Sequence, residues 1–322
     1  MLLIFSDLHL DNYRRFSFTS HGGVNSRLLE QVAVVQKLRK LAEESTPEAI
    51  MFLGDLFNGQ GATINKQLYL MGYKLISSLA EVAPLYLLVG NHDIYGSQHI
   101  LDPMSGIKGV TVVANTFAME WSGYKIVLQP WGGMKQEGDV CLGHLDIEGA
   151  RTGMGYELPG TLHKKEYKDF KLVVSGHYHS YQEIHPNIIY CGAVMPMTFG
   201  DISEEDYGAL LLDTSLVHVR HIIDSPKFIP ISIHSQEGIE QFCKHKANNY
   251  YRLTITDRKI VVPNFDHRVE VLWDVQEEIE TRLKYEETDS LEDILKLFID
   301  STNTEIDKEQ AKEILMEVMQ EV

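Results

Sequence analysis

Short apolar runs alternate with longer stretches of helical periodicity along the first third of the chain. Leu2 to Phe5, Ala49 to Leu53 and Leu85 to Val89 are each too short for a helix, and polar residues, Gly or Pro bound them. They read as buried parallel strands. Between them, Ser26 to Glu44 repeats Leu28, Val32, Val35, Leu38 and Leu41 at helical spacing, with Asn25 or Ser26 as a cap. Ile64 to Glu81 does the same with Ile64, Leu68, Met71, Leu75 and Leu79. Strand–helix–strand order of this kind predicts a parallel α/β sheet.

The pattern changes after Gly109. Thr111 to Val113, Phe117 to Trp121 and Tyr124 to Leu128 are short and closely spaced, with Ser122-Gly123 as a turn. Val140 to Leu142 and Leu172 to Val174 follow as strands. Ile188 to Cys191, Tyr207 to Leu212 and Leu216 to Ile222 read as antiparallel ones. The expected fold is α/β (α+β): two packed mixed β-sheets, or one mixed sheet, flanked by helices. Pro226 and Pro230 mark a linker. Beyond it a small α+β region is expected, with strands over Tyr250 to Thr256 and Val269 to Trp273 and a helix over Gln276 to Leu283. After the acidic break Glu286 to Asp289 come two short amphipathic helices, Ser290 to Ile299 and Asp307 to Val322. The expected division is therefore a main domain over 1–225, a small cap over 226–286 and a helical segment over 287–322.

Composition narrows the classes. The 322 residues carry a net charge of -17, with no basic stretch that would mark an autonomous nucleic-acid-binding module. Acidity of this size is compatible with carboxylates that hold divalent cations. No apolar run approaches the ~20 residues of a spanning helix. Cys141, Cys191 and Cys243 are scattered and odd in number, as reduced thiols of a cytosolic protein would be. With the first strand starting at the N-terminus, this makes a cytoplasmic location and no membrane partner the expectation.

The candidate chemistry lies directly behind five of the strands. Leu2 to Phe5 leads to Asp7 and His9, Ala49 to Leu53 to Asp55, and Leu85 to Val89 to Asn91, His92 and Asp93. Val140 to Leu142 leads to His144, and Leu172 to Val174 to His177 and His179. Ligands in α/β sheets gather at the carboxyl ends of strands. Each motif alone is a common turn; five in this order are not. Carboxylates, an amide oxygen and imidazoles without thiolates suit a divalent ion such as manganese, with iron, zinc or magnesium as alternatives. Seven ligands exceed one tetrahedral site and suit two ions about 3.5–4 Å apart that share a carboxylate. His92 is the remaining imidazole, with Asp93 beside it to orient the ring.

D-x-H, G-D, G-N-H-D, G-H and G-H-x-H in this order resemble the motifs of the calcineurin-like metallophosphoesterases, over about residues 1 to 180. The resemblance implies a pair of β-sheets flanked by helices. It implies one ion on Asp7, His9, Asp55 and His179, and a second on Asp55, Asn91, His144 and His177. Asp55 would bridge them, and His92, supported by Asp93, would face the substrate phosphate as a catalytic pair.

Leu128-Gln129-Pro130-Trp131, Gly176-His177-Tyr178-His179-Ser180, and Tyr190-Cys191-Gly192-Ala193 running on to Phe199-Gly200-Asp201 resemble one branch, the SbcD-type DNA repair nucleases and their phage counterparts. That branch implies a DNA exonuclease and endonuclease in the cytoplasm of a bacterial or phage-infected cell. It also implies an SbcC-like coiled-coil ATPase as partner, with two nuclease copies in a heterotetramer. The C-terminal helices would dock on that partner through Leu291, Ile294, Leu295 and Phe298, and through Ile314, Leu315 and Val318. The chain departs from the branch at two positions. Asn58 stands where many members carry His near the substrate, and Asp11 stands where many carry Gly. The rival within the same superfamily is a phosphatase or small-molecule phosphodiesterase.

Overall fold

The alternating apolar strands near the N-terminus are buried on both faces, and this dictates the layering. In the computed structural model β1 (Leu2–Phe5), α1 (Ser26–Ser45), β2 (Ala49–Phe52), α2 (Lys66–Ala80) and β3 (Leu85–Leu88) follow in the expected order. A two-residue hairpin, β4 (Ile94–Tyr95) and β5 (Gln98–His99), precedes β6 (Val110–Val113). Then come β7 (Phe117–Trp121), β8 (Tyr124–Gln129), β9 (Val140–His144), β10 (Leu172–Gly176), β11 (Gln182–His185), β12 (Ile188–Tyr190), β13 (Gly208–Leu212) and β14 (His218–Ile222). The structure describes residues 1–59, 64–201, 207–275, 290–302 and 307–320. The helix expected over Gln276 to Leu283 and the acidic break Glu286 to Asp289 lie outside them.

Two six-stranded mixed sheets result, in the orders β14-β13-β1-β2-β3-β6 and β11-β12-β10-β9-β8-β7. Alternation sorts the side chains. Leu3, Phe5, Ile50, Phe52, Leu85 and Leu87 face α1 and α2. Leu2, Ile4, Met51 and Leu88 face inward and meet Leu128, Leu142 and Val174 of the second sheet. The far face of that sheet is covered by the connection after β9, through Ile147, Tyr167 and Phe170, rather than by an α-helix. Asn25 caps α1, its side chain accepting from Arg27 N and Leu28 N. The buried stripe of α1 is Leu28, Val34, Val35, Leu38 and Ala42; Val32 and Leu41 are only half-buried. In α2 the expected Leu68, Leu75 and Leu79 are buried, with Asn65 as the cap.

Two expectations change. β12 pairs antiparallel with β11 but parallel with β10, so the strand after Ile188 extends the parallel run β8-β9-β10-β12. The linker at Pro226 and Pro230 is in part a strand. Here β15 (Phe228–Ile233), α3 (Gln236–His245), β16 (Tyr250–Ile255) and β17 (Val269–Trp273) build a parallel three-stranded sheet. Pro230 is tolerated because β15 is an edge strand with a single neighbour, so its missing N–H costs no ladder bond.

Contacts along the chain divide it into Met1–Asp274 and Val275–Val322. In the second unit α4 (Leu291–Ser301) opens with a capping box, Ser290 Oγ accepting from Asp293 N at 3.2 Å. In α5 (Lys308–Gln320) the Lys312 ammonium reaches Asp300 at 2.7 Å, which ties the two helices together.

Candidate metal centre

The carboxyl ends of β1, β2 and β3 from one sheet and of β9 and β10 from the other deliver the motif residues to one place. Backbone conformation aims them. Asp7, His9, Asp55 and His177 all have positive φ, at 55°, 43°, 58° and 91°. Side chains other than glycine rarely adopt this region, and such strain concentrates at functional sites. Two glycines make room. A Cβ on Gly90 would lie 2.1 Å from Asp55 Oδ1, and one on Gly54, itself at φ +107°, 2.5 Å from His144 Nδ1. These contacts explain why G-D and G-N-H-D need their glycines.

Three overlapping clusters form. Asp7, His9 and His179 converge in the first and Asp55, His144 and His177 in the second, while His9 and Asp55 converge with His92 in a third that joins them. In the first, His9 Nε2 lies 3.1 Å from His179 Nε2 and 3.6 Å from Asp7 Oδ1. In the second, Asn91 Oδ1 lies 2.9 Å from His144 Nε2 and 3.0 Å from His177 Nδ1. Asp55 Oδ2 stands between them, 3.5 Å from His9 Nε2 and 3.4 Å from His144 Nε2. All seven expected ligands therefore come together, with Asp55 in the shared position.

The residues fit a pair of divalent ions. Asp7 Oδ1 is buried and has no hydrogen-bond partner, an arrangement costly for a carboxylate unless a cation meets it. The imidazoles are held in the tautomers that ligation requires. His144 Nδ1 lies 2.7 Å from Leu53 O, and His179 Nδ1 lies 2.7 Å from Asp201 Oδ1, leaving Nε2 of each for an ion. Burial opposes ionisation of Asp55, but His144 and His9 outweigh it and hold the carboxylate below its ordinary range. Burial also opposes charge on His144 and His179. Asp55 lifts the first to about 9, and the Asp201 hydrogen bond lifts the second to about 9. Burial, with His144 nearby, lowers His177 to about 4.

The expected catalytic pair needs correction. Asp93 does not orient the His92 ring. Its carboxylate is fully buried and accepts four backbone N–H groups: Asp55 and Gly90 on Oδ2, both at 3.0 Å, and Leu56 and Phe57 on Oδ1 at 3.1 and 3.3 Å. Asp93 thus ties the loop after β2 to the loop after β3. Burial and the neighbouring Asp55 charge push its carboxyl up to about 7. The ring of His92 is held instead by the main chain of Asn58, with Nδ1 2.7 Å from the carbonyl oxygen. Its backbone N–H donates to Asp55 Oδ1 at 2.9 Å, which places the ring edge-on to His9 at 4.7 Å between centroids.

Sequence reasoning missed two supporting residues. Asp201 follows no strand and sits in a single 3-10 turn, Phe199–Asp201; the branch motif that ends on it marked the residue but not its role as a histidine partner. Gln31 lies on α1, and its Nε2 donates to the carbonyls of Leu8 and His9 at 3.0 and 2.8 Å, pinning the D-x-H turn.

A model of the calcineurin-like phosphoesterase family matches residues 1–181, a stretch that contains every residue of these clusters. The chain belongs to this family. As a calcineurin-like phosphoesterase it resembles three viral proteins. Protein 244L of Invertebrate iridescent virus 6, a phosphoesterase by its name, is 28% identical over 49% of this chain and 64% of its own length. Protein 078R of Invertebrate iridescent virus 3, of the same designation, is 25% identical over 55% of this chain and 56% of its own. Uncharacterized protein R555 of Acanthamoeba polyphaga mimivirus is 24% identical over 56% of this chain and 15% of its own. The chain spans less than two thirds of the length of each relative. No helix of the described residues is long and apolar enough to cross a membrane.

Proposed function

We propose that this calcineurin-like phosphoesterase is a dimetal DNA nuclease, the catalytic subunit of an SbcCD-like recombination and repair complex in the cytoplasm of a bacterial or phage-infected cell. The observation that carries the hydrolytic reading is Asp55 Oδ2, standing between two clusters of ligand atoms. Two divalent ions, manganese in our reading, would supply Lewis-acid charge for phosphate oxygens and lower the pKa of a water for hydrolysis. Asp7, His9, Asp55 and His179 would hold one, and Asp55, Asn91, His144 and His177 the other. His92, positioned through Nδ1 by the Asn58 carbonyl, would as an imidazolium offer its Nε2 proton to the phosphate or to the leaving oxygen, ending as the neutral ring with Nδ1–H retained.

The nuclease reading draws on the likeness to the SbcD-type branch and on the tail. Leu291, Phe298, Ile314 and Val318 are each more than half exposed on helices too short to be stable alone, as a partner-binding stripe requires. In this reading residues 226–286 are a capping domain, and 287–322 dock on a coiled-coil ATPase by laying an apolar face in a groove. Activity on single-stranded and duplex DNA, compared with p-nitrophenyl phosphate esters in manganese, tests it. Cleavage of DNA is expected. Hydrolysis of the esters without any DNA cleavage would instead support a phosphatase or small-molecule phosphodiesterase.

A further inference from the structure

We propose that a cleft beside the first metal cluster, walled by aromatic rings and arginines, binds one nucleotide of the strand being cut. The proposal rests on the nuclease reading and adds a substrate subsite to it. The cleft has a volume of about 220 Å³. That is below the roughly 300–1,000 Å³ of pockets for drug-sized ligands, and it suits one base and its phosphate.

Its chemistry stands apart in a chain of net charge -17. Four arginines line it, Arg14, Arg15, Arg27 and Arg252. Glu270 pairs with both Arg15 and Arg252, while Arg14, exposed at the rim, makes no ion pair or hydrogen bond through its side chain among the described residues. The buried Arg27 guanidinium lies over Tyr13, its Cζ 4.0 Å from the ring centroid, and donates to Met197 O at 2.6 Å. Arg252 lies 4.2 Å over the ring of Phe199. The walls are thus planar π-faces backed by positive charge, the combination that takes a nucleobase by stacking and its phosphate by charge.

Phe16 is the clearest sign of a built surface. It has φ +58°, a conformation that bulky side chains seldom adopt, yet its ring is held 5.5 Å from Phe199, 5.8 Å from Tyr250 and 6.1 Å from Phe228. The ring packs on this aromatic cluster and lines the cleft. Residues that line the cleft are hydrogen-bonded to the metal centre. The Tyr13 hydroxyl donates to His9 O at 3.2 Å, and Thr198 N donates at 2.9 Å to Asp201, the partner of His179. A strand whose scissile phosphate lies at the ions would run into this cleft with its next nucleotide.

The test is a KM series on the full chain in manganese, using single-stranded oligonucleotides from a dinucleotide upward. Wild type is expected to show KM falling with length. Arg14→Ser and Phe16→Leu should each erase that fall, raising KM for the longer oligomers by about 5- to 100-fold with a smaller change in kcat, on the scale of one stacked base. An oligomer with one abasic position next to the cleaved bond should cost wild type the same factor and cost Phe16→Leu little more. Arg14 is at the surface, so its variant answers the question even if Phe16→Leu fails to fold. Wild-type length dependence in the Arg14 variant, or indifference to the abasic position, would overturn the subsite. A wild-type enzyme that hydrolyses nitrophenyl esters but cuts no oligonucleotide would overturn the nuclease reading itself.

Discussion

The carboxamide of Asn58 donates to the carboxylate of Asp11, Nδ2 to Oδ2 at 2.9 Å. These are the two positions at which the chain departs from the SbcD-type pattern, and the structure pairs them. Asn58 also carries the carbonyl that holds His92, and its own N–H donates to Leu10 O at 3.2 Å. The pair therefore fixes the peptide on which the His92 ring rests. Asn58→Ala is expected to lower kcat by about tenfold with little change in KM. A double-mutant cycle with Asp11→Ala should give a coupling of about 0.5–3 kcal/mol. Asn58→His should shift the balance of exonuclease and endonuclease products while metal binding persists. Additive effects of the two alanine changes would separate the pair from His92.

His92 and Asp93 have distinct duties, and their variants should differ in kind. His92→Gln is expected to lose about 10²-fold or more in kcat and keep its metals. Asp93→Asn should instead lose metal and stability, because four buried N–H groups then face an amide with one acceptor oxygen. Metal content and thermal melts of both proteins check this. A fully loaded, normally stable Asp93→Asn enzyme with a His92-like defect would restore Asp93 to a catalytic role.

Metal loading should be proton-linked. Burial opposes charge on both rings, but Asp55 raises His144 and Asp201 raises His179, each to about 9. The same carboxylates that favour a proton on each ring would favour a cation there, so proton and metal compete for these nitrogens. Manganese affinity should rise with pH up to about 9 and then level off, with protons released on binding below that point. Calorimetric titration in buffers of different ionisation enthalpy measures the release. Affinity that is flat from about pH 6 to 9 would contradict it.

Much of the centre was legible because its residues follow apolar strands without a break. Leu2 to Phe5 cannot be a helix, so Asp7 and His9 must lie at a strand end, and the same holds for His144 after Val140. The duty of Asp93 was not legible. Its four donors come from Gly90, three residues away, and from Asp55, Leu56 and Phe57 in a distant loop, a pairing that only the packed sheets create. Pro230 hid β15, since a proline argues against a strand until the strand is known to be an edge. The left-handed backbone at Asp7, His9 and Asp55 left no trace either, for no glycine marks those positions.

Removing residues 290–322 should leave a folded, metal-binding enzyme that cuts single strands but no longer binds an SbcC-like ATPase or responds to ATP on duplex ends. The exposed apolar residues of α4 and α5 motivate this expectation. Co-purification with the ATPase, beside a thermal melt of the shortened chain, decides it. Retained ATPase binding or a collapsed melt would assign these helices to the protein's own core.

The most direct test of the central claim is DNA cleavage measured while manganese is titrated into metal-free protein. Two clusters sharing Asp55 predict a rate that stays near zero through the first equivalent and rises with the second, with Asp55→Asn inactive throughout. A rate that saturates at one equivalent, or cleavage that persists in excess chelator, would contradict a dimetal nuclease.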